Sequence, residues 1–199
     1  MGSSFLGARL IAKMAALSSH VRQRRIYAPL LKEHGVNSHL STHWNSQKSQ
    51  WTRFEILVEE LGGLGALQGR TVLDVGCGCG DFAAYLDEAG GVPSELVGVD
   101  IVPAMVSACE QRFAGVSSQA QFQRRFECRD ILLRPLMSCN GTTGATFDFV
   151  VSSGVFAFGN DTFFREMTAA SCAMARQAYS FNLFGECSHS CTREPSSSH

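Results

Sequence analysis

The chain has 199 residues, 45% of them hydrophobic and 18% charged, the composition of one globular domain that can bury a core, without room for a second full one. Its net charge of -1 hides an asymmetry. Arg9, Lys13, Arg22, Arg24 and Arg25 lie in the acid-free residues 1–26, and the rest of the chain holds 12 basic against 18 acidic residues. A negative body argues against a nucleic-acid partner, whose phosphates demand clustered Lys and Arg. No apolar run reaches the ~18 residues a membrane span needs.

Residues 1–26 are free of acids and bear Arg and Ser, so they read either as an organelle transit peptide or as an N-terminal helix. The first reading implies a mitochondrial location, supported by Arg25-Ile26-Tyr27-Ala28 as a cleavage site, and the second a cytoplasmic one. The eight cysteines are scattered, with no secretory signal before them, which points to reduced thiols. Asn140-Gly141-Thr142 is then a turn rather than a glycosylation site.

Trp51, Phe54, Leu57, Val58 and Leu61 recur at helical spacing until Gly62-Gly63 stops them. Thr71 to Val75 is a short apolar run ending at a glycine cluster, as a buried parallel strand does. Asp81 to Ala89 reads as a helix and Leu96 to Val99 as a second strand ending at Asp100. Pro103 opens a helix to about Phe113. Strands follow at Phe122 to Cys128, before Asp130, and at Phe147 to Val151, before Ser152-Ser153-Gly154. Asn160 or Asp161 caps a helix with Phe163, Met167, Ala170 and Met174 on its apolar side. Tyr179 to Phe184 is the fifth strand. The domain therefore spans 27–186, and the polar, Ser-rich stretch 187–199 reads as disordered.

Alternating strands and helices specify an α/β, doubly wound, mostly parallel sheet. Ligands bind such sheets beyond the carboxyl ends of the strands, where these glycines, aspartates and serines fall. A glycine loop after strand one suits a dinucleotide as well, but the spacing discriminates. In G-x-G-x-x-G the last position must let a pyrophosphate meet a helix N-terminus, and counting from Gly76 that position is Asp81. A carboxylate there repels phosphate. The pattern is instead G-x-G-x-G, in which backbone approaches a bulky ligand closely. Cys77 and Cys79 lie inside this loop without a partner pair at zinc spacing, so no metal site is expected.

Leu73-Asp74-Val75-Gly76-Cys77-Gly78-Cys79-Gly80 with Val97-Gly98-Val99-Asp100 resembles the first two motifs of the class I S-adenosylmethionine-dependent methyltransferases, whose fold is Rossmann-like. The resemblance implies that Gly76, Cys77, Gly78 and Gly80 pass beside the amino-acid part of S-adenosylmethionine. It also implies that Asp100, with Ile101 beside it, binds the ribose hydroxyls, that Asp130 and Ile131 flank the adenine, and that Ser152 and Ser153 line the sulfonium side. Asp74 orders the loop or meets the cofactor's ammonium. Tyr27, His34-Gly35, Trp44, Gln50 and Arg53-Phe54 resemble a bacterial-type subgroup, in which Arg53 would reach the cofactor carboxylate and Trp44 close over the pocket. His34 and His43 are the histidines placed to act near a substrate.

Members of this family follow strand five with a further helix and an antiparallel strand pair, which this sequence is expected to lack. An oligomeric or edge-supplying partner is one expected consequence, because unpaired edges expose backbone donors and apolar surface. No catalytic base is assignable, and an Asn/Asp-Pro-Pro-aromatic motif is absent. The expected activity is methyl transfer to a small molecule, and the alternative is a non-catalytic methyltransferase-like protein that binds cofactor or a protein partner.

Overall fold

A computed structural model of the chain describes residues 21–115, 122–134, 136, 144–158, 160–183 and 188–192. Residues 1–20, the Asn140 sequon, and Phe184 with the rest of the tail apart from 188–192 lie outside the described residues. Helix α1 covers 21–34, α2 Gln47–Glu60, α3 Leu64–Leu67, α4 Asp81–Ala89, α5 Pro103–Phe113 and α6 Asp161–Met174. The strands are β1 Thr71–Val75, β2 Glu95–Asp100, β3 Gln123–Cys128, β4 Phe147–Ser152, β5 Ala175–Asn182 and β6 Ser188–Thr192. They form one sheet of order β3-β2-β1-β4-β5-β6. The first five run parallel and β6 runs antiparallel to β5. The expected α/β fold is present.

The central strands are mostly apolar because both faces of the sheet are covered, and side chains alternate between them. In β1, Val72 joins Phe54, Leu57, Phe82 and Leu86 beneath α2 and α4, whereas Leu73 joins Val97, Val150, Met167 and Tyr179 beneath α6. Local signals behave as read. Ser46 caps α2 by accepting from Ser49 N, Asn160 caps α6 by accepting from Phe163 N at 2.9 Å, and Pro103 sits in the first turn of α5.

Two expectations need correction. The polar stretch after Cys187 contains β6, whose pairing from Ala178↔Thr192 to Asn182↔Ser188 places an antiparallel strand on the β5 edge. Its composition gives no apolar alternation, so only backbone pairing with β5 defines it. Strand β5 also starts at Ala175, four residues earlier than Tyr179, because Phe147 pairs with Ala175 across a register shift. Arg176 and Gln177 are exposed there and carry no strand signal. As for 21–34, Tyr27 and Leu31 pack on Cys79, Val102 and Met105, so this stretch is built into the domain as a helix.

Candidate cofactor site

The carboxyl ends of β1, β2, β3 and β4 open into a single cavity of about 1260 Å³. The floor is the loop after β1, in which Gly76, Gly78 and Gly80 all have positive φ, at 76°, 78° being reached by Gly80 and 53° by Gly78. Gly76 and Gly78 are doubly constrained. A Cβ on Gly76 would lie 2.5 Å from Val155 Cγ2, and one on Gly78 would lie 2.8 Å from Thr42 Cγ2. The loop therefore packs against the segment after β4 on one side and the 3-10 turn His39–Thr42 on the other. It is stitched to β2 by Gly76 N and Cys77 N, which both donate to Val99 O.

Asp100 ends β2 with each oxygen held by a different backbone donor: Gly78 N donates to Oδ2 at 3.0 Å and Val102 N to Oδ1 at 2.8 Å. Burial raises its pKa, and the backbone N–H groups of Val102, Gly78 and Ile101 oppose the rise. The carboxylate lines the cavity as an acceptor, chemistry suited to hydroxyl donors. Tyr27 from α1 lies close enough that burial, then the charge of Asp100, pushes its phenol up to about 12.

Asp74 is the electrostatic anomaly. It is 4% exposed, lines the cavity, and accepts no hydrogen bond among the described residues. Burial, reinforced by Asp100 and Asp81, pushes its carboxyl up to about 8. A buried carboxylate is costly unless a cation or donors compensate it. Asp81, by contrast, is fully engaged. Arg112 Nη1 donates to Oδ1 at 2.6 Å, while Gln50 Nε2 at 2.8 Å and the Thr42 hydroxyl at 3.1 Å donate to Oδ2. Thr42 and Gln50 thereby fasten the segments before β1 to the start of α4, and Arg112 fastens α5 to it, so a carboxylate already paired within the protein occupies the position where a pyrophosphate would need a bare helix end.

Asp130 Oδ1 accepts from Leu132 N at 2.8 Å. Asp130 lines the cavity together with Ile101 and Ile131. At the end of β4, Asn182 from β5 accepts from Gly154 N at 3.0 Å and donates to Ser153 Oγ at 2.9 Å. That anchor, which positions the whole Ser153-Gly154 turn, gives no motif in the sequence.

Of the expected site residues, the structure brings Asp74, Gly76, Cys77, Gly78, Asp100, Ile101, Asp130, Ile131 and Ser153 to the cavity wall, and with them Trp44 and His43. Three do not reach it. Gly80 packs against the core instead, since a Cβ there would meet Phe113 at 2.8 Å. Ser152 shares the Val150 face of β4 and its hydroxyl is bonded to the Tyr179 hydroxyl at 2.7 Å. Arg53 lies behind Trp44, its guanidinium 5.2 Å from that ring and donating to Leu183 O. His34 also stays off the wall. Hydrogen bonding to Cys109, then burial, pushes the Cys77 thiol well up, and burial pushes Cys79 to about 12. Both act as small protonated packing groups rather than nucleophiles.

The model of a family described as methyltransferase domain matches residues 72–176. No curated protein matches the sequence significantly. Among solved structures, the magnesium protoporphyrin IX methyltransferase of Synechocystis with bound S-adenosylhomocysteine is similar at 22% identity and a TM-score of 0.55, covering 82% of this chain and 66% of that one. Its form with bound S-adenosylmethionine gives 22% and 0.53, covering 67% and 58%. Phosphoethanolamine N-methyltransferase 1 of Haemonchus contortus gives 14% and 0.56, covering 81% and 31%. The chain thus spans less than two thirds of each of these proteins. Among the described residues no helix is long and apolar enough to cross a membrane. A family match running from the start of β1 into β5, on a sheet that carries the glycine loop and Asp100 at adjoining strand ends, leads to one assignment: the chain belongs to the methyltransferase-domain family and has the class I methyltransferase fold.

Proposed function

We propose that the chain binds S-adenosylmethionine in this cavity and transfers its methyl group to a small-molecule acceptor, releasing S-adenosylhomocysteine. The observation that carries the reading is the pair of carboxylates on the cavity wall: Asp100, held in place by backbone N–H groups, and Asp74, buried with no cation paired to it among the described residues. A ligand that presents a ribose diol and an ammonium satisfies both. A dinucleotide has no group for Asp74.

Bound S-adenosylmethionine supplies a methyl group made electrophilic by its sulfonium. The residues of the chain orient and enclose it. Asp100 accepts the ribose hydroxyls, and Asp74 neutralises the ammonium in place of its own proton. Ile101 and Ile131 offer apolar faces to the adenine, with the Asp130 carboxylate beside them as acceptor for its exocyclic amine. Ser153 and Gly154, fixed by Asn182, border the methionine end. Displacement at a sulfonium gains most from alignment of donor and acceptor, so excluding water and fixing geometry suffice without a dedicated base.

The test is calorimetry of the purified chain with S-adenosylhomocysteine, with NADH as control and circular dichroism to establish folding. Saturable binding of the first ligand alone is expected. A folded chain that binds neither ligand, or NADH alone, overturns the reading.

A further inference from the structure

Gln23, Tyr27 and Leu31 follow one another at four-residue steps and so share one face of α1. Toward one end of that face, Leu31 and Tyr27 pack on Cys79, Val102 and Met105, on the glycine loop and the start of α5. These two elements flank Asp100, whose oxygens are held by Gly78 N and Val102 N. Toward the other end, Gln23 and Tyr27 line the cavity, with Arg22 beside them. Tyr27 thus belongs to both sets, and burial, then the charge of Asp100, raises its phenol. One turn earlier, Arg24 acts on Cys128, where burial raises the thiol and the guanidinium opposes the rise. Asp100 and Cys128 are partners across β2 and β3, so α1 lies over the carboxyl ends of both strands, where the ribose and adenine are assigned.

We infer that Gln23 and Tyr27 are cofactor-binding residues and that α1 clasps the nucleoside half of S-adenosylmethionine against Asp100. The inference rests on the methyltransferase reading and deepens it by adding an element outside the strand ends. A phenol that keeps its proton can donate to a ribose oxygen beside the Asp100 carboxylate, while its ring screens that side from water. The Gln23 amide, one turn away on the same face, offers both a donor and an acceptor. Cleavage at Arg25-Ile26-Tyr27-Ala28, the site read in the sequence, would sever this face between Gln23 and Leu31. The binding-competent domain therefore includes Gln23 rather than starting at Tyr27.

Calorimetry on the full chain compares it with Tyr27→Phe and Gln23→Ala, two changes that leave the packing of Leu31 in place. Each should weaken S-adenosylhomocysteine about threefold to tenfold, the size of one hydrogen bond, with the Tm of the ligand-free chain unchanged. Methylthioadenosine, which lacks the amino-acid part, should be weakened to the same degree. Trypsin reports on the helix itself, since Arg22, Arg24 and Arg25 are exposed on it and cutting there requires α1 to open. Saturation with either nucleoside should slow these cuts about tenfold or more, whereas methionine should not.

Unchanged affinity in both variants overturns the inference, as does cutting of α1 that is equally fast with S-adenosylhomocysteine bound. Protection by methionine but not by methylthioadenosine overturns it as well, because α1 would then lie over the amino-acid end. In these cases binding of S-adenosylhomocysteine itself leaves the cofactor reading standing. A folded chain that binds neither nucleoside overturns that reading and the inference together.

Discussion

The ends of β2 and β4 both present polar residues to the same cavity, but they are held by different means. At β2, Asp100 is fixed by Val102, two residues away, and by Gly78 in the neighbouring loop. At β4, Ser153 and Gly154 are held by Asn182, almost thirty residues on in the chain. The preceding Ser152 turns away to Tyr179. A site built by backbone next to its own side chain travels with a short motif. A site built across strands exists only once the sheet has formed.

The largest effect is expected where the two ends meet, at Gly76. Gly76→Ala forces a Cβ into Val155 and keeps a left-handed backbone, so it should cost about 2–4 kcal/mol. A fall in Tm of roughly 5–15 °C would register this, and an unchanged Tm would show that the two ends are not packed together. Asp100→Ala comes next. It removes the acceptors for the ribose and leaves Gly78 N and Val102 N unpaired, so affinity for S-adenosylhomocysteine should fall about 10- to 100-fold by calorimetry. Unchanged affinity would refute the ribose role.

Asn182→Ala tests the β4 end. Losing both of its bonds should destabilise the fold by about 1–3 kcal/mol in urea titration and weaken the cofactor less than Asp100→Ala does. Were it the stronger of the two, the contrast between local and distant support would reverse. Ser152→Ala should have the smallest effect, about 1 kcal/mol of stability and no change in affinity for S-adenosylhomocysteine. A loss of binding would place Ser152 in the site after all.

Asp74 sharpens the contrast by pH. Its carboxyl titrates near 8 in the folded chain and near ~3.9 when unfolded. Between these values the folded state holds a proton that the unfolded state has released, so stability is greatest at the acid end and declines as pH rises toward about 8. Tm of the ligand-free chain measured from pH 5 to 8 should fall, and Asp74→Asn should flatten this component. An ammonium that replaces the proton gives the opposite trend in binding, with protons released on addition of S-adenosylhomocysteine. Heats measured in two buffers of different ionisation enthalpy would detect that release, and buffer-independent heats would separate Asp74 from the ligand.

Much of this protein was legible in its sequence because the carriers are local. A strand that ends on G-x-G-x-G, a second that ends on Asp100, and Asp81 where a pyrophosphate would need glycine depend on neighbours within a few residues and survive as patterns. Apolar runs likewise reveal strands buried on both faces. Composition left β6 invisible, since backbone pairing on the β5 edge, not an apolar face, defines it. The destinations of Ser152, Gly80 and Arg53 were equally hidden, because strand alternation, helix packing and the stacking of Arg53 on Trp44 direct them only after distant segments meet. So was the convergence of Thr42, Gln50 and Arg112 on Asp81. The sequence by itself determined which chemical groups stand at the strand ends, for a motif is a local backbone property. Which of those groups face the cavity was decided by tertiary structure alone, because a side chain's direction follows from what packs against it.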